Sequence, residues 1–276
     1  HASWHESYHR TMTQVANSKT VLGDFENREF TFPGGEHYSL GRSGDEYWVE
    51  ISNHPQLKAA SGSDKVRLPV VLTTGSHHMQ VYWFATGQGR NLGILPVVHL
   101  NGEEQWIPRD AAFIKPPNAP HSLEMARWNY TCNTCHTTDP RAEFDNESKS
   151  YDTRVSEFGI SCESCHGPGD AHVNFQRGQA KLPPDDQTTV GDPIVNPATL
   201  DHRKSSQVCG ACHVTHRRID PKGKFTNYLP GQDYEKARRP LRMTEEFIAP
   251  LLKGATNEVE LRKDLQKQFL AQFWPD

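Results

Sequence analysis

The sequence predicts an α+β chain with much irregular structure: a small antiparallel β unit and peripheral helices around a core that side chains alone do not fill. Two observations carry this. Leu, Ile, Val and Phe together make up 54 of 276 residues, just under the roughly 20% below which chains tend towards disorder. Yet the formal net charge is only -4, with 6 Trp and 8 Tyr, so disorder is a poor reading. Something other than apolar side chains should complete the core.

Residues 1–17 read as a polar N-terminal helix. Residues 18–115 form the β-rich unit. Strands are expected at Glu29–Phe32, Tyr47–Ile51, Val66–Thr73, Met79–Ala85, Leu92–Leu100 and Gln105–Ile107. Pro33-Gly34-Gly35, Ser43-Gly44-Asp45 and Asn101-Gly102 supply turns between them. Residues 116–243 hold every cysteine, among Pro, Gly, Asp and Thr with little periodicity. Residues 244–276 are expected to be C-terminal helices. The best lies over 257–273, where Asn257 can cap, Glu260 takes the capping-box position, and Leu261, Leu265, Phe269 and Phe273 recur every fourth residue. No run of about 18 apolar residues occurs, so no transmembrane segment is expected in this chain. The mean hydropathy of -0.75 agrees. With a pI near 6.4 and no basic block, a nucleic-acid partner is not expected.

The cysteines set the chemistry. Cys132-Asn133-Thr134-Cys135-His136, Cys162-Glu163-Ser164-Cys165-His166 and Cys209-Gly210-Ala211-Cys212-His213 are three copies of C-x-x-C-H, and together they use all 6 cysteines. A shuffled chain of this composition would hold roughly 0.007 copies. Thiols at i and i+3 lie on one side of a helical turn. From there they can add to the two vinyl groups of one haem, while the following histidine meets the iron. Zinc would favour tetrahedra of four cysteines, or of two cysteines and two histidines, and does not explain a histidine after every pair. Three covalent haems c are therefore expected, with His136, His166 and His213 as proximal iron ligands. Haem attachment of this kind occurs outside the cytoplasm, so a periplasmic or extracellular location is expected. His1 stands where a Met would begin a nascent chain, and the sequence reads as a mature or trimmed product.

Several phrases resemble the multihaem cytochrome c superfamily. They are Trp4-x-x-Ser7-x-His9, Val21-Leu22-Gly23-Asp24-Phe25, Gly75-Ser76-His77-His78-Met79-Gln80-Val81-Tyr82, Trp128-Asn129-Tyr130, and the long run from Gly159 through Cys162 and His166 to His172. The nearest type is the tetrahaem cytochrome that accepts electrons from hydroxylamine oxidoreductase, with its tetratricopeptide-fused relatives. The resemblance implies a haem-cored fold and electron transport between redox protein partners. It also implies further motifs on either side, so that the chain reads as an internal piece of a longer polyhaem protein; the alternative is a genuine trihaem protein. Two other functional classes stand beside the carrier. One is a haem enzyme acting on a small nitrogen or oxygen species at a five-coordinate haem. The other is a conducting structural subunit of a larger polyhaem assembly.

Twelve histidines remain after the three proximal ones, against 4 Met, so imidazole is the expected second axial ligand. His172 leads, because the Gly167-Pro168-Gly169 turn allows a reversal and the resemblance implies a ligand there. His9 follows, by its family position and its place on the expected helix. His77 and His78 would face opposite ways on a strand, and His78 is favoured. His121 lies in a Pro-rich loop before the first motif. His216 could serve only a neighbouring haem. His5-Glu6-Ser7-Tyr8-His9 also spells the H-E-x-x-H zinc-peptidase pattern, but chance alone supplies roughly 0.05 copies and the segment is polar and terminal.

Overall fold

The computed structural model describes residues 2–56, 62–112, 123–214, 216–218, 228–240, 248–249, 252–253 and 257–263. The chain divides into two compact units, His1–Ser161 and Cys162–Asp276.

The first unit is built on an antiparallel sheet. Its strands are β1 (Thr13–Val15), β2 (Arg28–Thr31), β3 (His37–Ser43), β4 (Glu46–Ser52), β5 (Lys65–Thr74), β6 (Met79–Ala85), β7 (Leu92–Ile94), β8 (Val97–Leu100) and β9 (Gln105–Pro108). The order is β2-β3-β4-β5-β6-β8-β9, with β1 on β5 and β7 on β6. β4 alternates, burying Tyr47, Val49 and Ile51 on one face, as a half-covered strand should. β6 is buried on both faces: Tyr82 and Phe84 join Phe25, Tyr38, Leu40 and Leu95, whereas Val81 and Trp83 join Leu72, Leu92, Ile94, Val98 and Trp128. The central strand thus divides two apolar layers.

Gly23 lies against that centre. A Cβ there would come 2.6 Å from the Trp106 ring and 2.7 Å from Tyr82 Oη. Without one, the Gly23 amide donates to Tyr82 Oη at 2.8 Å.

Several sequence expectations change here. The helix expected over 1–17 spans only Ala2–His5 and buries nothing; β1 follows, because Thr13, Gln14 and Val15 pair with Thr74, Thr73 and Leu72. The expected Leu92–Leu100 strand breaks into β7 and β8 at Leu95-Pro96, where the Leu95 amide turns to Tyr82 O and Pro96 O accepts from Arg109; proline has no amide to continue a ladder. β3 was not expected, since Gly41 and its polar neighbours hide the alternation. It is paired along its length with β4, and Trp48 lies over Gly41 where a Cβ would collide. His77 and His78 occupy the turn between β5 and β6, not a strand. Their rings lie 3.8 Å apart, so the opposite-face expectation does not apply.

The second unit has helices at Cys162–His166, Asp170–Gln179, His202–His213 and Tyr234–Ala237. Its described apolar cluster is small: Tyr228, Tyr234 and Ala237, with Ala211 packed on them. Helix Asp170–Gln179 buries no residue, and His202–His213 buries only Val208. At the C-terminus, residues 258–263 are helical. Asn257 Oδ1 accepts from the Glu260 amide at 3.2 Å, the expected N-cap bond, while Glu260 Oε2 accepts from Asn257 Nδ2 at 2.8 Å, from the side chain rather than the backbone amide of a capping box. Leu265, Phe269 and Phe273 lie outside the described residues.

Tyr82→Phe should destabilise the first unit by about 1–3 kcal/mol, because it strands the buried Gly23 amide. Denaturant unfolding followed by tryptophan fluorescence measures this; an unchanged midpoint would contradict it.

Candidate haem-binding sites

The first motif is carried on the sheet. A π-helical turn, Trp128–Cys132, runs into the helix Asn133–His136; such turns recur at functional sites. Trp128 and Cys132 both pack on the Trp83 face of β6. Burial pushes the Cys132 thiol up to about 11, against the opposing pull of Arg127. Asn129, fully buried, ties the turn down. Its Nδ2 donates to Arg90 O and Thr153 Oγ1, both at 2.9 Å, and its Oδ1 accepts from the Leu92 amide at 3.1 Å. Asn133 Nδ2 then donates to Asn129 O at 2.9 Å, and Thr137 Oγ1 to Asn133 O at 2.6 Å. The start of the helix that ends at His136 is therefore tied to the anchored turn.

The residues leading into the second motif are fixed as firmly. The Thr138 hydroxyl donates to Gly159 O at 3.0 Å and accepts from the Ser161 amide at 2.8 Å. Trp4 Nε1 donates to Ile160 O at 3.0 Å, and the Ile160 amide donates to His9 O at 2.9 Å. Gly159 has φ +79° and backs onto Arg10 O, where a Cβ would collide. His9 is thus placed by its backbone, in turns after the helix Ala2–His5 rather than on a helix as expected, and its side chain is exposed. Because the helix ends at His5, His5 and His9 do not share the helical face that an H-E-x-x-H metal pair requires.

The second motif is the helix Cys162–His166. Glu163, between its cysteines, accepts from the Gly169 amide through Oε1 at 2.7 Å. This and the positive φ of Gly167, 78°, turn the chain into the helix carrying His172. His166 Nδ1 lies 2.8 Å from Val195 O. A carbonyl only accepts, so Nδ1 carries a proton, and in the neutral ring Nε2 is the nitrogen with a lone pair. His172 Nδ1 lies 2.8 and 2.9 Å from the two oxygens of Asp192, which assigns the same tautomer. Burial works to raise the Asp192 carboxyl, but His172, Gln176 and the Ile194 amide outweigh it and hold it below its ordinary value.

The third motif ends the helix His202–His213, which Asp201 caps by accepting from the Lys204 amide. Tyr234 Oη donates to Gly210 O at 3.2 Å, inside the motif. The surrounding chain raises the Cys165 thiol, and Cys209 adds to that rise. His216 gives its Nδ1–H to Val214 O at 2.8 Å.

The residues fit covalent haem. None of the six cysteines forms a disulfide, the second and third pairs each lie within one helix, the first spans the junction of the π-helical turn and the helix Asn133–His136, and each helix ends on its motif's histidine. Other histidines serve the sheet. His37 Nδ1 bonds Thr31 Oγ1 across a strand pair at 3.0 Å. His54 and His99 are buried in the first unit, and His99 packs on Trp106. His77 and His78 are exposed, with His77 stacked on Tyr8 at 4.0 Å. His121 lies outside the described residues. Asp192 and Val195 had no sequence signal: they stand 20 and 29 residues from their imidazoles, in no periodic pattern.

The family model described as cytochrome c554 and c-prime matches residues 99–167, a stretch that contains the first two motifs. Among solved structures, the outer cell wall cytochrome OcwA matches with a TM-score of 0.53 at 18% identity, over 90% of this chain and 43% of that one. The family match supports a c-type cytochrome relationship for that stretch. At that identity OcwA shows a shared fold, and this chain spans less than half of its length. No curated protein matches significantly. Among the described residues, no helix is long and apolar enough to cross a membrane.

Asn129→Ala should cost about 1–3 kcal/mol, since it strands the buried Leu92 amide, and should loosen the turn under the first motif. Thermal unfolding of the haem-loaded protein measures it; a shift indistinguishable from zero would contradict the anchoring role.

Proposed function

We propose that this chain is the trihaem part of a c-type cytochrome that carries electrons between redox protein partners. The carrying observation is the placement of three C-x-x-C-H motifs, each on a helical turn that ends on its histidine. Cys132 and Cys135, Cys162 and Cys165, and Cys209 and Cys212 hold the groups, with His136, His166 and His213 proximal. His172, His9, His78 and His121 supply second ligands to haems of this chain or to haems attached elsewhere. When bound, haem c supplies a one-electron iron couple whose potential the axial ligands and their hydrogen bonds set.

The chain's own residues hold the imidazoles and keep them in one tautomer: Val195 for His166, Asp192 for His172. The hairpin turn with His77 and His78 and the segment around His9 both belong to the first unit, where the sheet orders them. A location outside the cytoplasm is supported by the C-x-x-C-H motifs, since haem attachment at such motifs takes place there, and by the name of the similar cytochrome, from an outer cell wall. Further haem domains or subunits complete the conducting path. A donor of the hydroxylamine oxidoreductase type is implied by the resemblance alone.

Denaturing mass spectrometry of the expressed chain should give the polypeptide plus three haems. Cys→Ala exchange of both cysteines in any one motif should remove one haem and leave two. Fewer than three haems in the parent would contradict the proposal. A ferric spectrum dominated by high-spin haem that responds to added nitrite or hydroxylamine would favour the enzyme over the carrier.

A further inference from the structure

One short loop holds two imidazoles in the second unit. Gly191 takes φ +87° and the Asp192 amide donates to Thr189 O at 3.2 Å, closing a turn. Three donors then converge on the Asp192 carboxylate: His172 Nδ1, Gln176 Nε2 at 2.7 Å, and the Ile194 amide at 3.1 Å. Three residues on, the Val195 amide donates to His166 O at 3.2 Å, while Val195 O accepts from the ring of the same histidine. Residues 192–195 thus grip His166 by backbone and ring, and His172 by its ring. An exposed ion pair would be worth little, but the Asp192 side chain is only 10% exposed and His172 34%, and every contact on the carboxylate is a donor.

The two imidazoles differ in what holds them. A neutral carbonyl faces one Nδ1–H and a carboxylate faces the other. A carboxylate on the outer nitrogen makes the ligating nitrogen more basic, which favours ferric over ferrous iron. We infer that Asp192 is a positioning residue that orients His172 towards a haem iron and lowers the reduction potential of that haem, while Val195 orients His166 without charge. This rests on the reading of His166 and His172 as iron ligands. The charged partner in this loop marks the haem that His172 meets as the weaker acceptor of electrons.

The test compares His172→Ala, Asp192→Asn, Asp192→Leu and Gln176→Leu in the haem-loaded chain, by haem mass, spectroelectrochemical titration and electron paramagnetic resonance. His172→Ala should convert one low-spin haem to high spin. Asp192→Asn keeps an acceptor but loses the charge. It should leave all haems attached and six-coordinate and raise one midpoint by about a tenfold change in ferric preference, about 59 mV for one electron. Asp192→Leu should also alter the low-spin g-values of that haem, because the ring is no longer oriented. Gln176→Leu removes another donor to the carboxylate without touching the imidazole, and should lower that midpoint or leave it in place. Unmoved midpoints in Asp192→Asn, with His172→Ala still losing a ligand, would overturn the inference alone. An equal rise in Gln176→Leu would overturn it too, because loop packing rather than charge would then be responsible. A silent His172→Ala would instead overturn the reading of His172 as a ligand.

Discussion

A histidine that offers one ring nitrogen to iron must be held by the other. Two imidazoles of the second unit are held in this way at Nδ1. Val195 O holds a proton on His166 Nδ1 and Asp192 holds one on His172 Nδ1, so in the neutral ring Nε2 is the nitrogen that can meet iron. The same loop accounts for the Gly191 turn, the Gln176 contact to the helix Asp170–Gln179, and the pairing of Val195 with His166. Without these bonds two short helices with almost no buried side chains would have little to fix their direction.

The first unit solves the problem differently. Its sheet has a true side-chain core on each face of β6, and the π-helical turn before the first motif is bolted to that sheet through Trp128 and Asn129. The backbone there is thus held independently of any bound group, whereas the second unit offers a small described cluster around Tyr228 and Tyr234. The sheet segment, residues 18–115, is richer in Leu, Ile, Val and Phe than residues 162–240 around the later motifs. A bound porphyrin is a large apolar surface, and burying it would stabilise the second unit in the same way that apolar side chains stabilise the first.

Much of this was legible in the sequence. The attachment residues were readable because the chemistry demands a fixed spacing on one helical turn, and Met79–Ala85 was readable because apolar and β-branched residues crowd it. β3 escaped because its register is set by neighbours on both sides while Gly41 and His37 break its pattern. The N-terminal helix was over-read because a polar run with few β-branched residues resembles a helix until β5 offers Thr13–Val15 a ladder. Asp192 escaped for a deeper reason. It acts through a contact 20 residues distant from His172, and hydrogen-bond partners of ligands obey no spacing that a linear sequence reveals.

The central claim is that imidazoles from this chain complete the coordination of covalently attached haem. Near-infrared magnetic circular dichroism of the ferric protein, with iron and haem counted in the same sample, tests it most directly. The account predicts charge-transfer bands of bis-histidine ligation, losing intensity by one haem's share in His172→Ala. Bands of histidine–methionine ligation throughout, or high-spin iron in most sites of the parent protein, would contradict it.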